Sequence, residues 1–435
     1  MEGTFIYITT NEPVDGGVVI LDSTGKKMKR VYDSVNGVRP EWWGAKGDGI
    51  NDDLPAFTAM TAYLMNQSGS KQDFVQLSNA VYRLTNQWVI GQKFIDEDQT
   101  FKDILNNPTL DMNKFIISRR VNPISIKGTG ASAIYLDFEP DKLTAGIYYA
   151  IQGDTRAKNS IESYSAELKD FGIYPKGYFN NGVPTNTINK YNGNKLVGIE
   201  FIYNVMVSVD KITFFGLREG VILNNSYFNN ITNCTFRYCN RGFYTYQSHA
   251  STMSNCVFSF CNLGLEFHSG QLNLTNIYTS SCSVSMYFGW GSSSIIINSS
   301  YLESSVTGEA QIIIGENIGD PSYINSSSYV VNGIVFNALT VVANKPSGAT
   351  GTSIILKDSA RKVMINGGSL QSSNKVLTNP SNELIVQGVL GSFPIEANRR
   401  DADSNFKSIT ITDLKAPTGT LKQLYINDKG KIVIQ

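Results

Sequence analysis

The chain has two histidines in all, and His268 stands two residues from Glu266. On an extended strand that spacing puts both side chains on one face, about 7 Å apart. A carboxylate so placed can serve as general acid or base with the imidazole as its partner. Tyr244 and Tyr246 lie 22 residues upstream of this pair, Tyr287 lies 21 residues downstream of Glu266, and Trp290 follows at the next turn. If the backbone repeats at that interval, three tyrosines, an acid and a histidine share one wall. Aromatic faces pack against the apolar faces of sugar rings, while a carboxylate and an imidazole can hydrogen-bond hydroxyls. The plainer reading is a solvated sheet face, because Tyr favours strands anyway.

The interval is a true repeat. Gly198-Ile-Glu-Phe, Gly220-Val-Ile-Leu, Gly242-Phe-Tyr-Thr and Gly264-Leu-Glu-Phe align with their glycines 22 residues apart, and Ser285-Met-Tyr-Phe follows 21 residues later. Upstream of each lies a second similar segment, from Ile212-Thr-Phe to Cys234-Thr-Phe and Cys256-Val-Phe. Each unit holds two or three alternating strands with polar turns, and one unit cannot bury its own apolar face. Stacking units in register pairs each strand with its neighbours about 4.8 Å above and below. The fold class that follows is all-β: a right-handed, single-stranded parallel β-helix of about 22 residues per rung. Phe214, Phe236 and Phe258 should form an internal stack. Asn233, Asn255, Asn276 and Asn298 should form a buried amide ladder at a turn.

Alternation assigns the faces. Ile199/Phe201, Val221/Leu223, Phe243/Thr245, Leu265/Phe267 and Met286/Phe288 should point inward. Glu200, Ile222, Tyr244, Glu266 and Tyr287 should then form one outer column, with Tyr246 and His268 in the next. The expected catalytic residues are Glu266 and His268. Tyr244, Tyr246, Tyr287, Trp290, Glu200 and Arg241 are expected to bind substrate. Glu200 stands three rungs from Glu266, about 14 Å, which is too far for either hydrolytic geometry. A second acid would come from Glu219, Glu303, Asp170 or a neighbouring chain. His249 reads as a surface or turn residue.

Lys+Arg and Asp+Glu both number 37, so the formal net charge is zero. That argues against nucleic acid, which is held mainly through a basic surplus. No stretch reaches membrane-spanning length, and the start shows no secretory signal. Cys234, Cys239, Cys256, Cys261 and Cys282 are odd in number and confined to one region, unlike a disulfide framework. They read as small buried core residues rather than metal ligands. No metal or cofactor is expected.

Trp43-Gly-Ala-Lys-Gly-Asp-Gly-Ile-Asn-Asp-Asp, followed by a helical pattern near 52–66, resembles the entry motif of the pectate-lyase-like β-helix superfamily, bacteriophage tailspikes above all. Asp52 or Asp53 can cap that helix. Asp48, Asp52 and Asp53 read as turn and cap residues rather than a metal cluster. The resemblance implies a lead-in over 1–38, a β-helix over 39–395 and a small C-terminal β module over 396–435 that joins three chains. Insertions near 91–118, 139–166 and 175–196 would wall a groove. The resemblance further implies a homotrimer in a virion tail, attached to a tail or baseplate protein through its N-terminus. Its partner would be a bacterial surface polysaccharide, which it binds and depolymerises, by hydrolysis first and by a lyase reaction second. The rivals are a binding-only or structural virion protein of the same fold, and a free polysaccharide lyase or epimerase. A calcium-dependent pectate lyase is disfavoured, since no strand face carries a cluster of aspartates.

Overall fold

The structure, a computed structural model, describes residues 3–66, 74–91, 123–150, 166–185, 190–202, 204–305, 310–316, 330–344, 351–370, 374–378, 383–389, 395–397, 408–412, 424–426 and 432–434. Short strands coil upward, each pairing in parallel with the strand one rung on. In the middle of the chain the unit is regular. Leu196–Ile202, Val207–Asp210 and Thr213–Phe215 form one rung, and Glu219–Asn224, Asn230–Thr232 and Thr235–Arg237 the next. The three parallel columns of strands are called here the first, second and third sheets, in that order. Elsewhere a single strand, such as Ala166–Pro175, serves both the second and third sheets.

The inward residues close the core as the alternation requires. Ile199, Phe201, Val221, Leu223, Phe243, Leu265, Phe267, Met286, Phe288 and Thr245 are each no more than 3% exposed. Phe214 stacks on Phe236 at 4.8 Å with 7° between ring planes, and Phe236 on Phe258 at 4.5 Å and 1°. The glycine column belongs to the same contact. A Cβ at Gly220 would lie 2.5 Å from Cδ1 of Phe236 and 2.4 Å from the carbonyl oxygen of Gly242. At Gly242 it would lie 2.6 Å from Cδ1 of Phe258. The ring of each rung therefore occupies the space a side chain would need at the glycine of that rung. The five cysteines are buried free thiols; Sγ of Cys234 donates to the Thr232 carbonyl at 3.2 Å and that of Cys256 to the Ser254 carbonyl at 3.3 Å.

The asparagine column differs from expectation in two ways. Asn233, Asn255 and Asn276 are exposed, not buried, and sit at φ of 54°, 55° and 54°. The turn demands a left-handed residue, which Asn tolerates, and turns of this kind lie on the surface. Their amides still link, Asn276 to Asn255 at 3.1 Å. Asn298 belongs to the neighbouring column, in register with Thr275. There it begins a second ladder through Asn337, Asn366 and Gln387, with links of 2.9, 3.0 and 2.7 Å.

The single α-helix among the described residues, Leu54–Met65, buries Ala56, Phe57, Met60, Thr61 and Leu64 along one stripe. Phe57 meets Trp88 edge-on at 4.7 Å, and Trp88 donates to Thr61 at 2.8 Å. Asp53 holds the N-cap position without capping. Its buried carboxylate instead accepts from the backbone N–H of Lys46 at 2.6 Å and of Arg83 at 3.2 Å. Asp52 accepts from the N–H of Leu54 at 3.1 Å, and Asp48 from those of Ile50 and Asn51 at 2.8 Å. All three acids thus organise the turn ahead of the helix.

Residues 92–122 and 151–165, which hold most of the first two expected insertions, lie outside the described residues. Thr144–Ala150, in the second of those stretches, is a first-sheet strand between Trp88–Gly91 and Leu196–Ile202. In the third stretch, Phe179–Asn180 and Val183–Pro184 form a small antiparallel ladder. The N-terminal Phe5–Tyr7, Val19–Leu21 and Lys27–Arg30 make a separate antiparallel sheet. Near the other end Ser408–Thr412 continues the parallel column from Glu383–Gln387, and Leu424–Ile426 pairs antiparallel with Ile432–Ile434.

Gly220→Ala forces a methyl group into the Phe236 ring and the next rung's backbone. It is expected to lower stability by about 1–3 kcal/mol, in the range for overpacked cores, read as a lower thermal unfolding midpoint.

Candidate functional site

Arg241–His249, Leu263–Gly270 and Val284–Phe288 are consecutive strands of the first sheet. Their register aligns Tyr244 with Glu266 and Glu266 with Tyr287, and Tyr246 with His268. In the next rung Gly289 takes the place beside His268. A Cβ there would lie 2.2 Å from the imidazole Cε1, so the ring fills space that a side chain at 289 would use.

Glu266 is held on both oxygens. Oε1 is 2.9 Å from Nε2 of His268, and Oε2 accepts from Nη1 of Arg241. The guanidinium continues inward, where Nε donates to Oε2 of Glu219 at 2.5 Å. Nε of Arg218 approaches Oε1 of Glu219 at 3.5 Å. Arg241 also lies over the Tyr244 ring at 3.8 Å, a cation–π contact. With Glu266 ionised, Nε2 of His268 carries the proton that bonds it. The other ring nitrogen, Nδ1, is buried and has no hydrogen-bond partner. Trp290 stands edge-on to His268 at 5.3 Å and to Tyr246 at 5.7 Å.

The two acids are pushed in opposite directions. Burial raises the pKa of Glu219, and Arg241 opposes the rise without cancelling it. Burial also works to raise that of Glu266, but the His268 hydrogen bond and the Arg241 charge outweigh it and hold the carboxyl below its ordinary range. Burial pushes the Tyr244 hydroxyl up to about 12. Carboxylates whose environments separate their titrations are a pattern of acid–base sites, and also of structural ion-pair networks. Exposure separates the groups too. The Glu219 side chain is 2% exposed, against 16% for Glu266, 18% for Arg241 and 9% for His268.

Of the residues singled out from sequence, the structure brings Glu266, His268, Tyr244, Tyr246, Tyr287, Trp290 and Arg241 into one patch. Glu200 is not among them: its column runs through Ile222 and Tyr244 before reaching Glu266. Of the three residues named as a possible second acid, Glu219 is the one that joins the patch. Asp170 sits between the second- and third-sheet portions of its strand, and Glu303 lies on the third sheet near Tyr278. The signal for Glu219 was present in sequence, since it precedes Arg241 by one repeat. The outer-column residues bordering the patch are buried apolar side chains, while Glu200, one rung beyond Ile222, is partly exposed. Tyr148 and Ile222 are 2% and 5% exposed toward the N-terminal end, and Ile313 and Ile355 are 5% and 2% exposed toward the other.

Among the described residues no group of three or more His, Cys, Asp or Glu is arranged to hold a metal ion. No helix among them is long and apolar enough to cross a membrane.

Arg241→Ala leaves Glu219 buried with only the longer Arg218 contact as counter-charge. A loss of about 3–5 kcal/mol is expected, with part recovered in the Arg241→Ala/Glu219→Gln double variant, as read by denaturant unfolding. Glu266, with its lowered pKa, contributes stability that is present above the ordinary carboxylate range and is lost as pH falls through its folded-state value. The stability gap between wild type and Glu266→Gln should therefore be widest near neutral pH and close in acid.

Residues 106–281 match the family model described as periplasmic copper-binding protein (NosD). No curated protein matches the sequence. Among solved structures, the enzymatically active domain of bacteriophage CBA120 tailspike protein 2 is similar at 14% identity and TM-score 0.51, over 95% of this chain and 51% of that one. The tailspike of Acinetobacter baumannii phage AM24 is similar at 11% and 0.49, over 95% and 60%. The A-module of the Azotobacter vinelandii mannuronan C-5 epimerase AlgE4 is similar at 14% and 0.47, over 89% and 97%. This chain thus spans about half of the CBA120 domain's length. At such identities the shared property is the course of the backbone, and on that ground, with its own rung-by-rung pairing, the chain is a parallel β-helix of the architecture found in phage tailspikes.

Proposed function

We propose that this chain is a bacteriophage tailspike that binds a bacterial surface polysaccharide and depolymerises it by glycoside hydrolysis. The observation that carries the reading is the pair of glutamates, Glu219 and Glu266, held on one arginine with their pKa values moved apart, behind a wall of Tyr244, Tyr287 and Trp290. Glu266 stays ionised at neutral pH, so its role is base or nucleophile rather than acid. Glu219, raised by burial, is the candidate proton donor. Because it lies behind Arg241, the donor role requires the guanidinium to move from between the two acids when a glycan binds. The rings stack on sugar faces, and His268 fixes the orientation of Glu266. A homotrimer, a place in the virion tail and attachment through the N-terminal strands belong to the same proposal.

Lyase chemistry fits less well. It needs a cation free to neutralise a uronate, whereas Arg241 already faces two carboxylates. A binding-only spike has its own support: both oxygens of Glu266 are already engaged, which suits a rigid wall as well as a catalyst.

The test is incubation of the purified protein with polysaccharides from a panel of bacterial surfaces. New reducing ends without the ultraviolet absorbance of an unsaturated uronic acid are expected. Glu266→Gln should lower the rate by about 10²–10⁴-fold, as for loss of a general acid or base. Reducing ends accompanied by that absorbance would establish a lyase. A glycan that is bound but never cut would leave the binding-only spike as the better account.

A further inference from the structure

The outer column of the first sheet carries a window about three rungs tall, from Tyr244 to Tyr287, bordered by buried apolar side chains, Ile222 above and Ile313 and Ile355 below. A polymer continuing along the solenoid axis from the window would meet those buried side chains on the adjoining rungs. The alternative route leads sideways, over the turn at one end of the strands. Toward the strand starts the way is taken up by the arginine–glutamate pairs, with Glu219 2% exposed. Toward the strand ends the aromatic surface continues through Trp290 and Tyr246 to the turn into the second sheet.

That turn presents a second aromatic platform. Tyr227 and His249 stack at 5.8 Å with 26° between their planes, one rung apart. Their backbone is pinned from inside by fully buried serines. Oγ of Ser248 donates to the Leu223 carbonyl at 3.0 Å and accepts from the N–H of Ser226 at 3.1 Å. Beside Tyr227 stands Phe228, at φ 55° and 55% exposed. A bulky residue in the left-handed region is strained, and with most of its ring in solvent it recovers little by burial. The turn itself sets this conformation, which Met206, Ala250, Gln271 and Ser294 share at the equivalent place in their rungs; what distinguishes Phe228 is a ring left largely in solvent beside the Tyr227–His249 stack.

We infer that Tyr227, His249 and Phe228 form a distal glycan subsite, so that the polysaccharide crosses the solenoid from the Glu266 window over this turn instead of running along its axis. The ligand class is a neutral or weakly charged saccharide chain, held by ring stacking. The inference rests on the proposed glycan site at Glu266 and adds its direction and extent.

The test uses the full chain and two probes from the panel strain whose glycan it retains: the biotinylated polymer, and a single repeat unit released from it by partial acid hydrolysis. Phe228→Asn, alone and with His249→Ala, removes rings while keeping a residue that accepts the left-handed turn. The unfolding midpoint should be equal to or above wild type. Affinity for the polymer should fall about tenfold, the order of a stacking contact, while affinity for the single repeat stays unchanged. Unchanged polymer affinity in both variants would overturn the inference. So would a parallel loss for both probes, since that places the ring effect inside the window. Tyr244→Ala and Glu266→Gln form the separate arm. If they weaken both probes while the turn variants change nothing, the Glu266 site stands without its distal extension; if they change neither probe, the Glu266 reading itself falls.

Discussion

Everything in this molecule depends on rungs stacking in register at the spacing of hydrogen-bonded strands. Each strand's backbone groups are satisfied by the rung above and the rung below, so rungs of 21, 22 and 23 residues keep the ladder because the difference is taken up in the turns. In the central rungs the tightest fit is the one between the glycine column and the stacked phenylalanines. Rings at Phe214, Phe236 and Phe258 sit 4.5–4.8 Å apart, which is the strand spacing itself. There is then no room for a Cβ at the glycines facing them. Extra chain length can enter at turns, where it does not disturb the pairing.

The candidate site uses this regularity and departs from it at a few points. In-register strands place Tyr244, Glu266 and Tyr287 in a file without any loop to position them. The departure is ionic. A sheet face at this spacing would set like charges close together. Instead Arg241, with Glu219 within and Glu266 without, and Arg218 on the other oxygen of Glu219, make a half-buried network whose charges offset one another. Burial of either acid alone would be costly; the network makes both tolerable and leaves one of them at the surface in its ionised form.

Much of this was legible in the sequence, and for a definite reason. A period of 22 residues with alternating strands fixes which side chains share a column, so the inward residues, the phenylalanine stack and the file from Tyr244 to Tyr287 could be written down before any coordinates. Three things could not. The reach of Arg241 depends on side-chain torsions that spacing does not determine, so its bridging of Glu219 and Glu266 could not be read from the repeat. The column of Asn298 was misassigned because two residues are added between Phe288 and Ser293, so the register there is 23 and counting by 22 lands one residue short. The helix cap went to Asp52 instead of Asp53 because the buried Asp53 carboxylate meets a demand from Lys46 and Arg83 that lies outside the helix. Columns follow from arithmetic; partners follow from packing.

The five thiols inside the coil remain unjoined. The cohesion of these rungs therefore comes from strand pairing and packing, without covalent staples, and the folded chain is indifferent to whether its surroundings are reducing or oxidising. Unfolding changes that. Opening the central rungs releases Cys234, Cys239, Cys256, Cys261 and Cys282 together, and thiols freed in air can pair with one another or with those of a second chain. Loss of structure then becomes a one-way step. The lifetime of the protein outside a reducing compartment is governed by how slowly the coil opens, a kinetic barrier, more than by the equilibrium between folded and unfolded states.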